Sequence, residues 1–403
     1  MGQRRPILRW LVFSAMSFSV AILFGVQPAS AYRHHAASSI ASVSSFFAWG
    51  LNNEGQLGTG TTTNSDVPTT VNGLGAFTAV ATAGYGFSGF TLGLLNNGTV
   101  MAWGSNSEGE LGDGTTTSST KPVMVNGLTG VTAIAADADI SFALLKNGTV
   151  EGWGDNGYGQ LGNGAPTRGS VDHPMAVKGL SSVTAIAAGQ GHGLALLTNG
   201  TVMAWGENAN GQLGIGTTTN SPTPVLVPGL SGVTAIAAGG NTSAALLSDG
   251  KVMAWGADSG NGTDNATVTS PVPVQGLSRS SVKAISVGDS FALALLSNGE
   301  VMGWGSNLWG QLGVGKAGCD CSISSATLLP GRTGVKAISA AVDHGLAILK
   351  NGTVVAWGRD DDGELGNGTT VTTGCSCISH RVSVESLQGI TAIDAGGYQS
   401  FAW

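Results

Sequence analysis

Charge is in short supply in this chain. Only 10% of its 403 residues are charged, against roughly 25% in ordinary globular domains. Lys and Arg number 17 against 24 Asp and Glu, and the longest basic run is the Arg4-Arg5 pair. A protein that neutralises phosphates concentrates Lys and Arg on one surface, so nucleic acid is not an expected partner. Long apolar runs are missing too. The longest, Trp10 to Val26, is broken by Ser14, Ser17 and Ser19 and falls short of the ~20 residues of a membrane-spanning helix. The 65 Gly follow no Gly-x-y triplet, which excludes a collagen helix. With 42% hydrophobic residues the chain still has the material for a large core, unlike a disordered protein.

Residues 1–9 carry Arg4, Arg5 and Arg9, the apolar stretch follows, and Ala29-Ser30-Ala31 supplies small residues. This is the pattern of a secretory signal peptide, residues 1–31, cleaved after Ala31 and leaving no membrane span in the mature chain. The Arg4-Arg5-Pro6-Ile7-Leu8-Arg9 run loosely resembles a twin-arginine export signal, and a generic basic leader explains it equally well. Either route predicts a secreted or cell-surface protein, with a net charge of about −10 once the leader is removed. Residues 32–45, rich in Ala and Ser, read as a short linker.

What fills the rest is a repeat. Trp-Gly occurs at Trp49, Trp103, Trp153, Trp205, Trp255, Trp304 and Trp357, at spacings of 54, 50, 52, 50, 49 and 53 residues. In the second unit Thr99 to Gly104 alternates like a strand, and three further strand-like runs follow: Pro122 to Val125, Val131 to Ala136 and Ser141 to Leu145. Asn147-Gly148 then marks a hairpin, expected as a type I′ turn with positive φ at both residues. The same turn recurs at Asn97-Gly98, Asn199-Gly200, Asp249-Gly250, Asn298-Gly299 and Asn351-Gly352. One turn is missing, because the chain ends on the strand Ser400 to Trp403 and the repeats begin on the strand Phe46 to Trp49. These ends are expected to pair as two halves of one hairpin. Four strands per unit, a period near 50 and circular closure predict a single all-β domain, residues 46–403: a seven-bladed β-propeller of four-stranded blades, the last closed by both termini.

The unit Val-x-Ala-Trp-Gly-x-Asn-x-x-Gly-Gln-Leu-Gly, then Pro-x-x-Val, then Val-x-Ala-Ile-Ala-Ala-Gly-x-x-His-x-x-Ala-Leu runs with local departures between Val202 and Leu296. It resembles the regulator-of-chromosome-condensation repeat. Gly-[Gln/Glu]-Leu-Gly recurs at Gly55, Gly109, Gly159, Gly211, Gly310 and Gly363, and the unit starting at Trp255 substitutes Gly260-Asn261-Gly262-Thr263. The resemblance implies a seven-bladed propeller, in agreement with the strand count. It also implies two possible activities. Guanine-nucleotide exchange, the founding member's activity, is opposed by the leader, the acidic balance and the lack of a substantial insertion. A β-lactamase-inhibitory propeller of this family binds through an aromatic ring of loops, but Gln190, Asn241 and Asp343 occupy that ring here without an aromatic.

Other motifs dissolve into the repeat. Gly84-x-Gly86-x-x-Gly89 is followed by a strand where a dinucleotide site needs a helix. Gly288-Asp289-Ser290 has no placed His base. Asp360-Asp361-Asp362-Gly363-Glu364 replaces the Asn-x-x-Gly turn and reads as a solvated acidic turn rather than a calcium loop. His192 and His344 hold equivalent positions, too few for a metal, and are expected to bond within their own blades. No catalytic set, metal or cofactor emerges. Cys319, Cys321, Cys375 and Cys377 lie in equivalent loops of successive units. For an exported chain they are disulfide candidates in any of three pairings, with a four-thiolate zinc site or free thiols as alternatives.

The expected function is therefore a non-enzymatic, monomeric binding scaffold whose propeller-face loops hold another protein or a cell-wall component. The candidate contact residues precede or open the Ala-Leu strand of each unit: Tyr85, Phe87, Phe90, Asp137, Asp139, Gln190, His192, Asn241, Asp289, Phe291, Asp343, His344, Tyr398 and Gln399. Aromatics there are expected to anchor a partner and Asp residues to steer a basic one.

Overall fold

A computed structural model describes residues 46–72, 77–86, 88–164, 169–263, 267–277, 281–315, 322–331, 333–371 and 377–403. Their strands form seven four-stranded antiparallel sheets, with no helix among the described residues. In the first blade the order is β3 (Phe77–Tyr85), β4 (Ser88–Leu95), β5 (Val100–Gly104) and β6 (Ser119–Met124). The first strands of the blades are β3, β7 (Val131–Asp137), β11 (Val183–Gly189), β15 (Val233–Gly239), β19 (Val282–Val287), β23 (Val335–Ala340) and β27 (Ile393–Gly396). Each touches the next, and β27 touches β3, so the ring closes around a channel.

The closing blade is built from both ends of the repeats. Its order is β27, β28 (Gln399–Ala402), β1 (Phe47–Gly50) and β2 (Ser65–Thr70), with Phe47 opposite Ala402 and Trp49 opposite Ser400. Phe46, Phe77, Phe401, Trp103 and Trp403 form one aromatic cluster over this junction.

Period-two alternation lets every blade serve two cores. Ile134, Ala143 and Trp153 of the second blade pack against Leu92 and Leu94 of the first. Phe142 and Leu144, pointing the other way, pack against Ile186, Ala195 and Trp205 of the third. The Trp of each Trp-Gly pair is buried, and in six of the seven the indole N–H reaches back to the preceding unit. Trp49, Trp103, Trp153, Trp205, Trp255 and Trp357 donate to the carbonyls of Glu364, Gln56, Glu110, Gln160, Gln212 and Gln311 at 2.7–2.9 Å. These acceptors are the second residues of the Gly-[Gln/Glu]-Leu-Gly motif, so the repeat signature is an inter-blade clamp.

The hairpin turns differ from the expected type I′. Gly98 has φ +80°, but Asn97 does not take positive φ. The Gly98 N–H bonds to the Leu95 carbonyl and the Leu95 N–H to the Thr99 carbonyl. This is a three-residue loop with Gly in the left-handed bulge position, and the Asn97 side chain accepts the Thr99 N–H instead.

Because successive strands reverse, turns after the first and third strands of every blade gather at one end of the ring, here the upper face. The Asn-Gly hairpins gather at the other, the lower face. Hydrogen bonds tie the two upper loops of a blade together, as from Ser105 N–H to Gly89 O and from Arg359 N–H to Asp343 O.

Candidate functional site

The upper face concentrates acid. Glu54, Glu108, Asp137, Asp139, Asp155, Glu207, Asp258, Asp289, Asp343, Asp361 and Asp362 all lie in its loops or at the strand ends entering them. Lys146, Lys251 and Lys350 lie at the lower hairpins, and Lys283 and Lys336 open inner strands there.

Arg359, the last residue of β25 (Val354–Arg359), is set among the acids. Its Nη2 donates to Asp361 Oδ2 at 2.7 Å, while Asp343 and Glu364 stand 3.7 Å from its guanidinium nitrogens. The same group lies 4.3 Å from the centre of the Tyr398 ring and 5.0 Å from that of Trp309. Residues of three successive blades thus enclose one cation. Burial works against its charge, but the hydrogen bonds and charge of Asp361, with Tyr398 and Glu364 behind them, outweigh burial and keep it protonated. Among the carboxylates around it, burial works against the charge of Asp361, but the hydrogen bond and charge of Arg359 hold it below its usual range, while burial raises Asp343, Asp362 and Glu364. Burial, reinforced by Asp289, pushes Asp343 up to about 7 even with Arg359 beside it. Burial likewise pushes Asp137 to about 7, again with Asp289 contributing. Asp361, Asp362 and Glu364 bring carboxylate oxygens within 4.8 Å of one another. Arg359 bonds Asp361, and the Asn64 amide donates to Asp362, so the turn's charges are met from within the protein.

Several expected contact residues lie elsewhere. Phe90, His192, Phe291, His344 and Gln399 are only 0–2% exposed, so they are corrected from surface to seam. Phe90, Ile140, His192, Phe291, His344 and Gln399 meet the next blade, whereas Thr242 at the equivalent step donates to the Ala257 carbonyl of its own blade. Gln399 donates to the Ala83 carbonyl across its seam. His192 Nε2 lies 2.7 Å from Ser243 Oγ, and His344 Nε2 lies 2.8 Å from Ser400 Oγ. Each serine gives its single proton to a carbonyl, of Gln212 or of Glu364. The histidines therefore donate from Nε2, to the next blade rather than their own. Burial lowers both to about 3, with Arg359 also acting on His344.

Asp137, Asp139, Gln190, Asn241, Asp289 and Tyr398 do sit partly exposed on the upper face, with Asp343 nearly buried among them. Asn241 is fixed by the Gln212 amide and Asp343 by that of Gln311. Phe87, Cys319, Cys321 and Cys375 lie outside the described residues, as do the side chains of Tyr85 and Cys377. Sequence reasoning missed Arg359, Trp309, Tyr158 and Leu308. The last two, 53% and 50% exposed, occupy the variable pair of the Asn-x-x-Gly turn, which repeats a position without repeating a residue.

Fold and face together define a closed β-propeller of the repeat-scaffold class. Family models of the regulator of chromosome condensation (RCC1) repeat match residues 45–90, 97–144, 147–196 and 199–246. A second model of the same repeat matches 79–110, 131–160, 183–212, 233–263, 282–311 and 335–364. The chain belongs to the RCC1 repeat family.

Human HERC2, an E3 ubiquitin-protein ligase, is 29% identical over 184 residues, 45% of this chain and 4% of that protein. The ultraviolet-B receptor UVR8 of Arabidopsis thaliana is 29% identical over 135 residues, 32% of this chain and 30% of the receptor. The chain thus spans a small part of the relatives it matches. Prp20p of Saccharomyces cerevisiae superposes with a TM-score of 0.77 at 23% identity, covering 89% of this chain and 90% of that one. Human WBSCR16 gives 0.77 at 21%, covering 89% and 99%. Both share the fold.

Proposed function

We propose that this protein is a secreted, non-enzymatic scaffold that binds another protein through the upper face of its propeller. The observation that carries this reading is the gathering of acidic loops and exposed Tyr158 and Leu308 on one end of a ring clamped blade to blade. Rigid elements presenting variable loops are suited to recognition, and partly exposed aromatic and Arg groups are suited to anchoring it. Among the described residues, the His192–Ser243 pair has the composition of a base and nucleophile, but both are 0% exposed and closed to a substrate. Prp20p, which shares the fold, is described by its binding to Gsp1p and histones, which supports a partner-binding role for this architecture. The leader-like residues 1–31 support export.

The test is capture by the chain from Tyr32 to Trp403 in secreted and cell-wall fractions, beside a Tyr158→Ser, Leu308→Ser double variant. One protein retained by the wild type and lost by the variant supports the reading. Equal capture by both, with the variant folded, contradicts the assigned face.

A further inference from the structure

A cavity of about 590 Å³ runs inside the ring, a volume in the range of small-ligand sites. Its wall is mostly Ala, Gly and Ser from the seven inner strands, and its charged groups are segregated. Asp137 and Asp289 line its upper part, Asp394 its middle, and Lys283 and Lys336 belong to its lower part.

Asp137 breaks the repeat. At the equivalent step of the other inner strands stand Ala83, Gly189, Gly239, Gly288, Ala341 and Gly396. Small residues suit the crowded centre of the ring, and a carboxylate there is costly unless something compensates it. The compensation present is partial. Asp137 accepts the Ala138 and Gly240 N–H groups, yet Asp289 acts on it as a like charge and adds to the effect of burial. The Asp289 backbone N–H goes to the Ala341 carbonyl, but its carboxylate makes no hydrogen bond or ion pair within the described residues. Arg359 bonds Asp361 and approaches Asp343 and Glu364, with no ion pair to either channel acid. The face thus already encloses one guanidinium between carboxylates and rings, while a second pair of carboxylates faces a cavity.

We propose that the upper channel is a cation site that takes an alkylammonium or guanidinium group between Asp137 and Asp289. A compact charge on a narrow stem matches the small-residue wall. The lysines at the far end disfavour entry of cations from below, so the group arrives from the upper face. Such a group belongs either to a free polyamine or to a Lys or Arg side chain of a bound polypeptide. The second source rests on the scaffold reading and the first does not.

The experiment is calorimetric titration of the chain from Tyr32 to Trp403, at low and at physiological salt, with spermidine and separately with an acetylated Gly-Arg-Gly-Arg-Gly peptide. The variants are Asp137→Asn, Asp289→Asn and, as a control on the same face away from the channel, Asp66→Asn. The account predicts saturable one-site binding of at least one probe, weakened about tenfold or more by either channel substitution and unchanged by Asp66→Asn. Relief of like-charge repulsion should leave Asp289→Asn at least as heat-stable as the wild type, which separates lost binding from lost fold, whereas Asp137→Asn loses an acceptor for one of its two N–H partners and is scored beside its own melting curve. Binding of spermidine alone assigns a polyamine site, and binding of the peptide alone assigns a partner's side chain. No saturable binding of either, or equal weakening by Asp66→Asn, overturns the site. The scaffold reading survives that result if partner capture still depends on Tyr158 and Leu308.

Discussion

The Trp304 indole N–H has no acceptor among the described residues, whereas Trp255, one blade earlier, donates to the Gln212 carbonyl at 2.8 Å. The cause is in the sequence. The unit containing Trp255 passes from Gly256 to Gly260 without the Asn-x-x-Gly-Gln segment, so the carbonyl that would meet Trp304 is not there. One seam of the ring lacks its clamp.

That difference is measurable. Trp103→Phe removes a donor and takes one of two hydrogen bonds from the Gln56 carbonyl, which Thr91 keeps. Trp304→Phe removes only an unpaired group. Chemical denaturation should find Trp103→Phe less stable than Trp304→Phe by about 1 kcal/mol, and equal losses would contradict the clamp.

Asp360 stands where other units have Asn. Asn52 accepts the Leu57 N–H and donates to the Thr61 and Thr63 carbonyls. Asp360 accepts the Leu365 N–H, but its Oδ2 has no partner among the described residues, and burial pushes its pKa up to about 7. An acid raised in the folded state favours folding in its protonated form, and that contribution is lost as pH climbs from its unfolded value, near about 4, through 7. Asp360→Asn should therefore stabilise the protein by about 1–2 kcal/mol at pH 8 and change little at pH 4. Melting curves at the two pH values check the sign.

Arg359→Gln leaves Asp343, Asp361 and Glu364 together without their cation. The expected loss is about 2–3 kcal/mol at pH 8. It should shrink at pH 5, where Asp343, raised to about 7, is protonated. A loss that is the same at both pH values would argue against the charge account.

Closure makes the two ends of the repeats unequal to the linker. Deleting residues 46–49 removes β1 and with it Trp49 and the pairing to β28, and truncation before Ser400 removes the other half. Either change should abolish the cooperative thermal transition, while removing residues 32–43 should shift Tm by less than about 2 °C.

The blades, their number and their closure were legible in the sequence because one chemical device recurs every turn of the ring: a Trp, a Gly bend and a carbonyl to clamp it. The departure at Gly260 was legible for the same reason, but its consequence at Trp304 shows only in the structure, where Gly260 stands beside that indole. Phe90, His192 and Gln399 were misplaced because a shift of one residue along a strand exchanges surface for seam, and loop sequences do not mark that phase. Arg359 was missed because its partners come from three blades, whose loops meet only once the ring is closed.

The upper-face assignment is tested most directly by hydrogen–deuterium exchange of the chain from Tyr32 to Trp403 with and without a captured partner. The account predicts slowed exchange in the loops carrying Tyr158, Leu308-Trp309, Asp289 and Tyr398, with the hairpins at Asn97, Asn147 and Asn199 unchanged. Protection confined to those hairpins would place the partner on the lower face and contradict it.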